Sequence, residues 1–190
     1  MSELRHDPLS KRWVIIANER SRRPEDFADG WEARPEGGFC PFCPGSEDKT
    51  PGEIAAIRPG GGRANGPGWD VRVIPNKYPA LSIEGTLDRQ GVGLYDRMRG
   101  VGAHEVVIES PHHALHMGDM EPGTLENVLA LCQDRMRDLG RDPRFKYVLL
   151  FKNHGAAAGA TLSHPHLQLI ATPVTPRAIS VELDSAREHF

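Results

Sequence analysis

The sequence predicts an α+β domain: an antiparallel sheet carrying one long packed helix. Three observations lead there. Short apolar runs bounded by charge, glycine or proline recur at Arg12–Ala17, Ala103–Glu109, Lys146–Lys152 and His166–Thr172. One long segment, from Pro122 or Thr124 to Leu139, has apolar residues at steps of three and four. Their order, with strands early, a helix, then two more strands, suits a single helix laid on a sheet.

Each element has its own signal. Arg12–Ala17 (Arg-Trp-Val-Ile-Ile-Ala) is a short strand, followed by a charged segment, Asn18–Asp29, that holds Arg20, Arg22, Arg23 and Pro24. Residues 37–68 are rich in glycine and proline and form a loop long enough to imply function or disorder. Within it Glu53–Arg58 is a short strand candidate, and Pro59–Gly68 reads as a mobile tip. Asp70–Pro75 alternates briefly as a strand. In the helix, Leu125, Val128, Leu129, Cys132, Met136 and Leu139 are predicted to share one face, with Gly140 as the stop. Cys132 then reads as a packed small hydrophobe. A glycine- and alanine-rich turn, Asn153–Thr161, joins the last two strands. Ala178–Phe190 reads as the start of another helix, whose apolar Ile179, Leu183, Ala186 and Phe190 need a partner.

Composition narrows the function classes. The 190 residues contain 26 acids and 23 bases, a formal charge of −3, which argues against a protein that lives on a nucleic-acid backbone. No apolar run spans a membrane, and the first residues lack the apolar core of a signal peptide, so the chain reads as cytoplasmic. Of the bases 18 are Arg and 5 Lys, which keeps small anionic ligands open, since Arg is the better planar partner for phosphate.

Three cysteines cannot form a closed disulfide framework or ligate a four-cysteine cluster. Cys40-Pro41-Phe42-Cys43-Pro44-Gly45 is a tight knuckle: two thiolates two residues apart can reach one tetrahedral zinc, and Gly45 permits a sharp exit. A redox pair would open a helix, whereas Pro-Gly-Ser follows here. Two further ligands must come from histidines. His112, His113 and His116 follow one strand end, and His164 and His166 bracket Pro165 at the start of another. Residues two apart in extended chain share a face, so one of this pair can hold metal while the other meets substrate. The small residues of Asn153–Thr161 let backbone approach a phosphate closely. An imidazole emerging just after such a cradle is placed for nucleophilic or acid–base work at phosphorus.

The run Phe151-Lys152-Asn153-His154-Gly155, continuing to Thr161-Leu162-Ser163-His164-Pro165-His166-Leu167-Gln168, resembles the active-site signature of the galactose-1-phosphate uridylyltransferase family, a branch of the histidine-triad superfamily. Four other stretches agree in order: Arg20-Ser21-Arg22-Arg23-Pro24, Cys40-Pro41-Phe42-Cys43, Val73 to Leu81, and Glu109-Ser110-Pro111-His112-His113.

The resemblance implies a histidine-triad-like fold over residues 1–176, with a zinc loop at 37–68 and residues 177–190 opening a truncated second domain. It makes His166 the nucleophile that takes a nucleoside monophosphate, and gives zinc the ligands Cys40, Cys43, His113 and His164. Arg20, Arg23, Asn76, Asn153, Thr161 and Gln168 are implied substrate contacts. The implied activity is ping-pong UDP-glucose–hexose-1-phosphate uridylyl transfer in galactose metabolism. The partners are a nucleotide sugar and a sugar 1-phosphate, in a protein that is a homodimer at full length. Leu167 stands where the sugar-metabolism enzymes have Gly, and Lys77 replaces an acid that helps hold the nucleoside. Both departures lead toward a subgroup with adenylyl-transferring relatives. The alternatives are therefore an ADP-sugar-specific phosphorylase or hydrolase of the same superfamily, or an inactive zinc-stabilised half-protein.

Overall fold

A computed structural model describes the chain at residues 2–22 and 38–190. Its strands and α-helices run β1 (Glu3–Asp7), β2 (Arg12–Ile16), β3 (Ala55–Ile57), β4 (Val71–Pro75), β5 (Gln90–Val92), β6 (Tyr95–Arg99), β7 (Ala103–Ile108), α1 (Pro122–Leu139), β8 (Tyr147–Phe151), β9 (His166–Thr172) and α2 (Arg177–His189). The α+β class holds, with two antiparallel sheets where the sequence suggested one. A five-stranded sheet has the order β3-β4-β7-β9-β8, and a four-stranded sheet the order β2-β1-β6-β5. The second sheet was only a quarter visible in the sequence. Its strands β5 and β6 are mostly exposed and polar, and β1 finds β6 across more than ninety residues, with Glu3 opposite Arg99.

The register of the five-stranded sheet decides what each face does. Val106 lies opposite Gln168, Ile108 opposite His166, and His104 opposite Ile170. Successive side chains alternate between faces. Val107, Leu167 and Leu169 therefore turn to one side, where they bury Val128, Leu131 and Cys132 of α1 together with Val71 and Val73 of β4. Val106 and Ile108 turn to the other and pack with Ile74, Trp69, Phe42 and Cys40, so the long loop covers the face opposite the helix.

Within α1 the buried stripe is Val128, Leu131, Cys132 and Leu139. Leu129, expected on that face, is 48% exposed. The stripe is rotated toward Leu131 and Arg135, whose guanidinium reaches the buried Glu105 of β7 through two bonds of 2.7 and 2.9 Å. Cys132 is 2% exposed and packed, as expected, and burial pushes its thiol up to about 11. The tip of the loop is tied down despite its composition. Asn65 Oδ1 accepts from the Glu53 amide and from Arg72, and Arg58 donates to the Gly66 carbonyl.

Candidate metal centre and active site

Cys40 and Cys43 face each other across a turn closed by the Cys43 amide on the Cys40 carbonyl (3.3 Å) and the Ser46 amide on the Cys43 carbonyl (3.1 Å). Gly45 follows at φ +87°, a left-handed conformation that disfavours any residue with a Cβ. The buried Glu47 then fastens the turn to the sheet. One carboxylate oxygen accepts from the Gly45 amide and the other from the Trp69 indole, at 2.9 and 2.8 Å.

His113 and His164 complete a cluster with these cysteines, and the four candidate ligand atoms all lie within 4.8 Å of one another. His113 Nδ1 is 3.3 Å from the Cys43 sulfur, and His164 Nδ1 is 3.6 and 3.7 Å from the sulfurs of Cys43 and Cys40. The outer nitrogens are anchored as metal-binding imidazoles need to be. His164 Nε2 meets the Ser110 carbonyl at 2.8 Å, and His113 Nε2 meets Ser163 Oγ at 2.9 Å. A carbonyl only accepts, so His164 carries its proton on Nε2 and keeps its Nδ1 lone pair toward the sulfurs. Burial, more than its histidine neighbours, drives the His164 imidazole down to about 4, which keeps it neutral. Burial and the adjacent Cys40 push the Cys43 thiol up to about 11, an arrangement that a bound cation would relieve by drawing out the thiolate. The two-cysteine, two-histidine set, with Cys40 and His164 buried and Cys43 and His113 half-buried, fits a tetrahedral cation. His112, the other member of the His112-His113 pair, is exposed.

His166 opens β9 two residues after His164. Its Nδ1 lies 2.9 Å from the carbonyl of His164, so Nδ1 bears the proton and Nε2 the lone pair. The ring is 9% exposed and stands edge-on to Phe42, with centroids 5.4 Å apart. It borders a cavity of about 500 Å³ that is also lined by Gln168, Asn76, Thr161, Lys77 and Tyr78, with Phe39, Phe42 and Ile74 among its apolar walls.

The structure thus gathers His166, Gln168, Asn76 and Thr161 around one space. Arg20 lines a neighbouring cavity on the other side of Lys77 and Tyr78, and its Nη1 donates to the Tyr78 carbonyl at 2.8 Å. Asn153 is half-buried just after β8 and is not among the residues lining the His166 cavity. Arg23 lies outside the described residues. In the glycine-rich turn, the amides of Ala158 and Ala160 donate to the Gly155 carbonyl, and of the turn only its last residue, Thr161, lines the cavity, followed there by Leu162.

Residues assigned no role from the sequence also support the site. Buried His104 bonds Gln168, and Ser110 and Ser163 hold the outer nitrogens of His164 and His113. Lys152 places its ammonium 2.5 and 2.6 Å from the carboxylate of the fully buried Glu109, next to Ser110. Only strand parity could have flagged His104, since it shares a face with Val106 and Ile108.

Residues 1–176 match the family model of the galactose-1-phosphate uridyl transferase N-terminal domain. The chain is 36% identical over 192 residues to an ADP-glucose phosphorylase of Arabidopsis thaliana, covering 99% of this chain and 53% of that protein. The crystal structure of an Arabidopsis thaliana ADP-glucose phosphorylase with bound ADP-glucose superposes with a TM-score of 0.68, over 100% of this chain and 55% of that one. A uridylyltransferase structure, 29% identical, superposes with a TM-score of 0.70 over 98% of this chain and 50% of that one. The chain spans about half the length of the curated relatives it matches. Among the described residues, no helix is long and apolar enough to cross a membrane.

Proposed function

The chain belongs to the galactose-1-phosphate uridyl transferase family, and from that premise we propose that it transfers a nucleoside monophosphate from a nucleotide sugar through His166. One observation carries the reading: the His164 carbonyl holds the proton on Nδ1 of His166, leaving the Nε2 lone pair as the nucleophile at the cavity wall. Attack on the α-phosphorus forms a P–N bond and breaks the bond to the sugar 1-phosphate, which leaves. Gln168, Asn76 and Thr161, lining the same cavity, offer donors to the phosphoryl oxygens. Arg20 contributes charge from the adjoining cavity.

The acceptor that best fits is inorganic phosphate. Its attack on the nucleotidyl-histidine breaks the P–N bond, returns the imidazole to neutrality and releases a nucleoside diphosphate. The 36% identity to an ADP-glucose phosphorylase across essentially the whole chain supports this ADP-sugar phosphorylase reading over uridylyl transfer to a hexose 1-phosphate. Lys77 at the cavity, in place of an acid that helps hold the nucleoside, points the same way.

Zinc is the proposed metal, held by Cys40, Cys43, His113 and His164. With four protein ligands it would staple the loop to the ends of β7 and β9 and supply folding free energy. The proton and phosphoryl steps belong to His166 and the polar groups around it.

The test is incubation with ADP-glucose and with UDP-glucose separately, followed by intact mass at mildly alkaline pH, where phosphoramidates survive. An adenylyl adduct mapping to His166 is expected, and His166→Gly should abolish it while retaining the metal. An adduct on His154, His164 or any other residue overturns the assignment, and a uridylyl adduct alone restores the uridylyltransferase reading.

A further inference from the structure

His104 does not line the cavity, yet it touches two residues that do. Its Nδ1 is 3.1 Å from the backbone N–H of Ala80, and its Nε2 is 2.9 Å from Oε1 of Gln168 and 3.2 Å from Nδ2 of Asn76. The ring is 7% exposed, on the same sheet face as Val106. A backbone N–H can only donate, so Nδ1 must accept and carries no proton. In the neutral imidazole the single proton is then on Nε2, where it is donated to Gln168. That bond fixes an ambiguity inherent in every glutamine: the carbonyl end is held inward and the NH2 end is turned away from His104. The Asn76 amide is set by a different bond. Its Oδ1 accepts from the Tyr78 N–H at 2.9 Å, and Nε2 of His104 has no lone pair left for its NH2 group. The Asn76 backbone N–H also donates to the His104 carbonyl at 2.8 Å, which brings the 76–80 loop onto β7.

We infer that His104 is a positioning residue for phosphoryl transfer, one that locks the Gln168 amide so that its NH2, not its carbonyl, faces the phosphoryl oxygens. The inference rests on the nucleotidyl-transfer reading of His166. Without the lock, Gln168 can turn its carbonyl lone pairs toward an anionic phosphate, which repels it. The ring acts through its neighbours, a requirement met equally whichever nucleotide is bound.

Two substitutions separate positioning from mere support. His104→Gln keeps an amide N–H at the distance of Nε2 from the backbone and so keeps the donor to Gln168. His104→Asn keeps an acceptor near Nδ1 for the Ala80 N–H and loses the donor. The rate of adduct formation should fall about tenfold in His104→Asn, the equivalent of one net hydrogen bond, and recover substantially in His104→Gln. In a Gln168→Ala background His104→Asn should cause no further loss, because there is no amide left to orient. Long-range proton–nitrogen spectra should show His104 protonated at Nε2 and bare at Nδ1. Full rescue by Asn, equal losses in both backgrounds, or an Nδ1–H tautomer each overturns the inference while leaving His166 chemistry standing. A wild-type chain that forms no adduct with either nucleotide sugar overturns both.

Discussion

The two faces of the five-stranded sheet are built from alternate residues of the same strands, yet they are held by different physics. On the helix face, Val107, Leu167 and Leu169 meet α1 in an apolar layer, and the buried carboxylate of Glu105 is matched by Arg135. The opposite face has a loop for its cover. There a smaller apolar cluster of Phe42, Trp69, Ile74, Val106 and Ile108 is joined by polar fastenings: four candidate ligand atoms gathered within 4.8 Å, Glu47 clasping Trp69, and Arg72 buried among Glu53, Thr50 and Asn65. Hydrophobic burial needs only shape and volume. A face meant to admit an anionic ligand needs polar groups in fixed orientations, and each of those must be partnered by another.

The widest separation between the faces should appear when the metal set is broken. Structural zinc binds with about 10–16 kcal/mol in small domains, so losing one of four ligands outweighs any single apolar truncation. Cys43→Ser should lose zinc and stability together, read as metal content by native mass spectrometry alongside the denaturation midpoint. Full zinc occupancy in the variant would remove the metal from the account of this face.

The helix face should answer differently. Leu169 is fully buried against α1, and Leu169→Ala should cost about 3 kcal/mol through lost burial and a residual cavity. Metal content and the position of the adduct should be unchanged in the folded fraction. If zinc is lost in proportion to stability, the two faces form one cooperative unit and the contrast between them is wrong.

The sequence disclosed these faces unequally. The strands β7, β8 and β9 and helix α1 were legible because dense apolar runs and a three-four repeat are local signals. Leu129 was misplaced because a repeat with several candidate residues defines a stripe only to within one position, and the bond of Arg135 to Glu105 turned it toward Leu131. The strands β1, β5 and β6 went unseen since their pairing is long-range and their side chains largely polar. The metal set followed from Cys-x-x-Cys and the histidine pairs together with a family resemblance, and the structure brings the same four residues together. His104 was not legible as part of the site. Its relation to Gln168 exists only once β7 and β9 are in register, a property of two strands more than fifty residues apart.

The smallest effect is expected at the loop tip, where composition and structure disagree most. Glycine and proline made residues 59–68 read as mobile, yet Asn65 joins two parts of the loop to β4. Its Oδ1 accepts from the Glu53 amide at 2.7 Å and from Nη2 of Arg72 at 3.2 Å. Arg72 is 1% exposed, so a lost acceptor there is not readily replaced by water. Arg72 keeps Glu53 and Thr50 as partners, at 3.2 and 2.9 Å, and the charge itself stays paired. Asn65→Ala should therefore cost about 1–2 kcal/mol, the price of one unsatisfied buried donor, seen as a lower denaturation midpoint with unchanged zinc content. A midpoint equal to the wild type would mean that the tip is held by the Arg58 contact to the Gly66 carbonyl alone. Zinc loss on this distant substitution would instead tie the tip to the metal knuckle, making the whole loop one folding unit held at both ends.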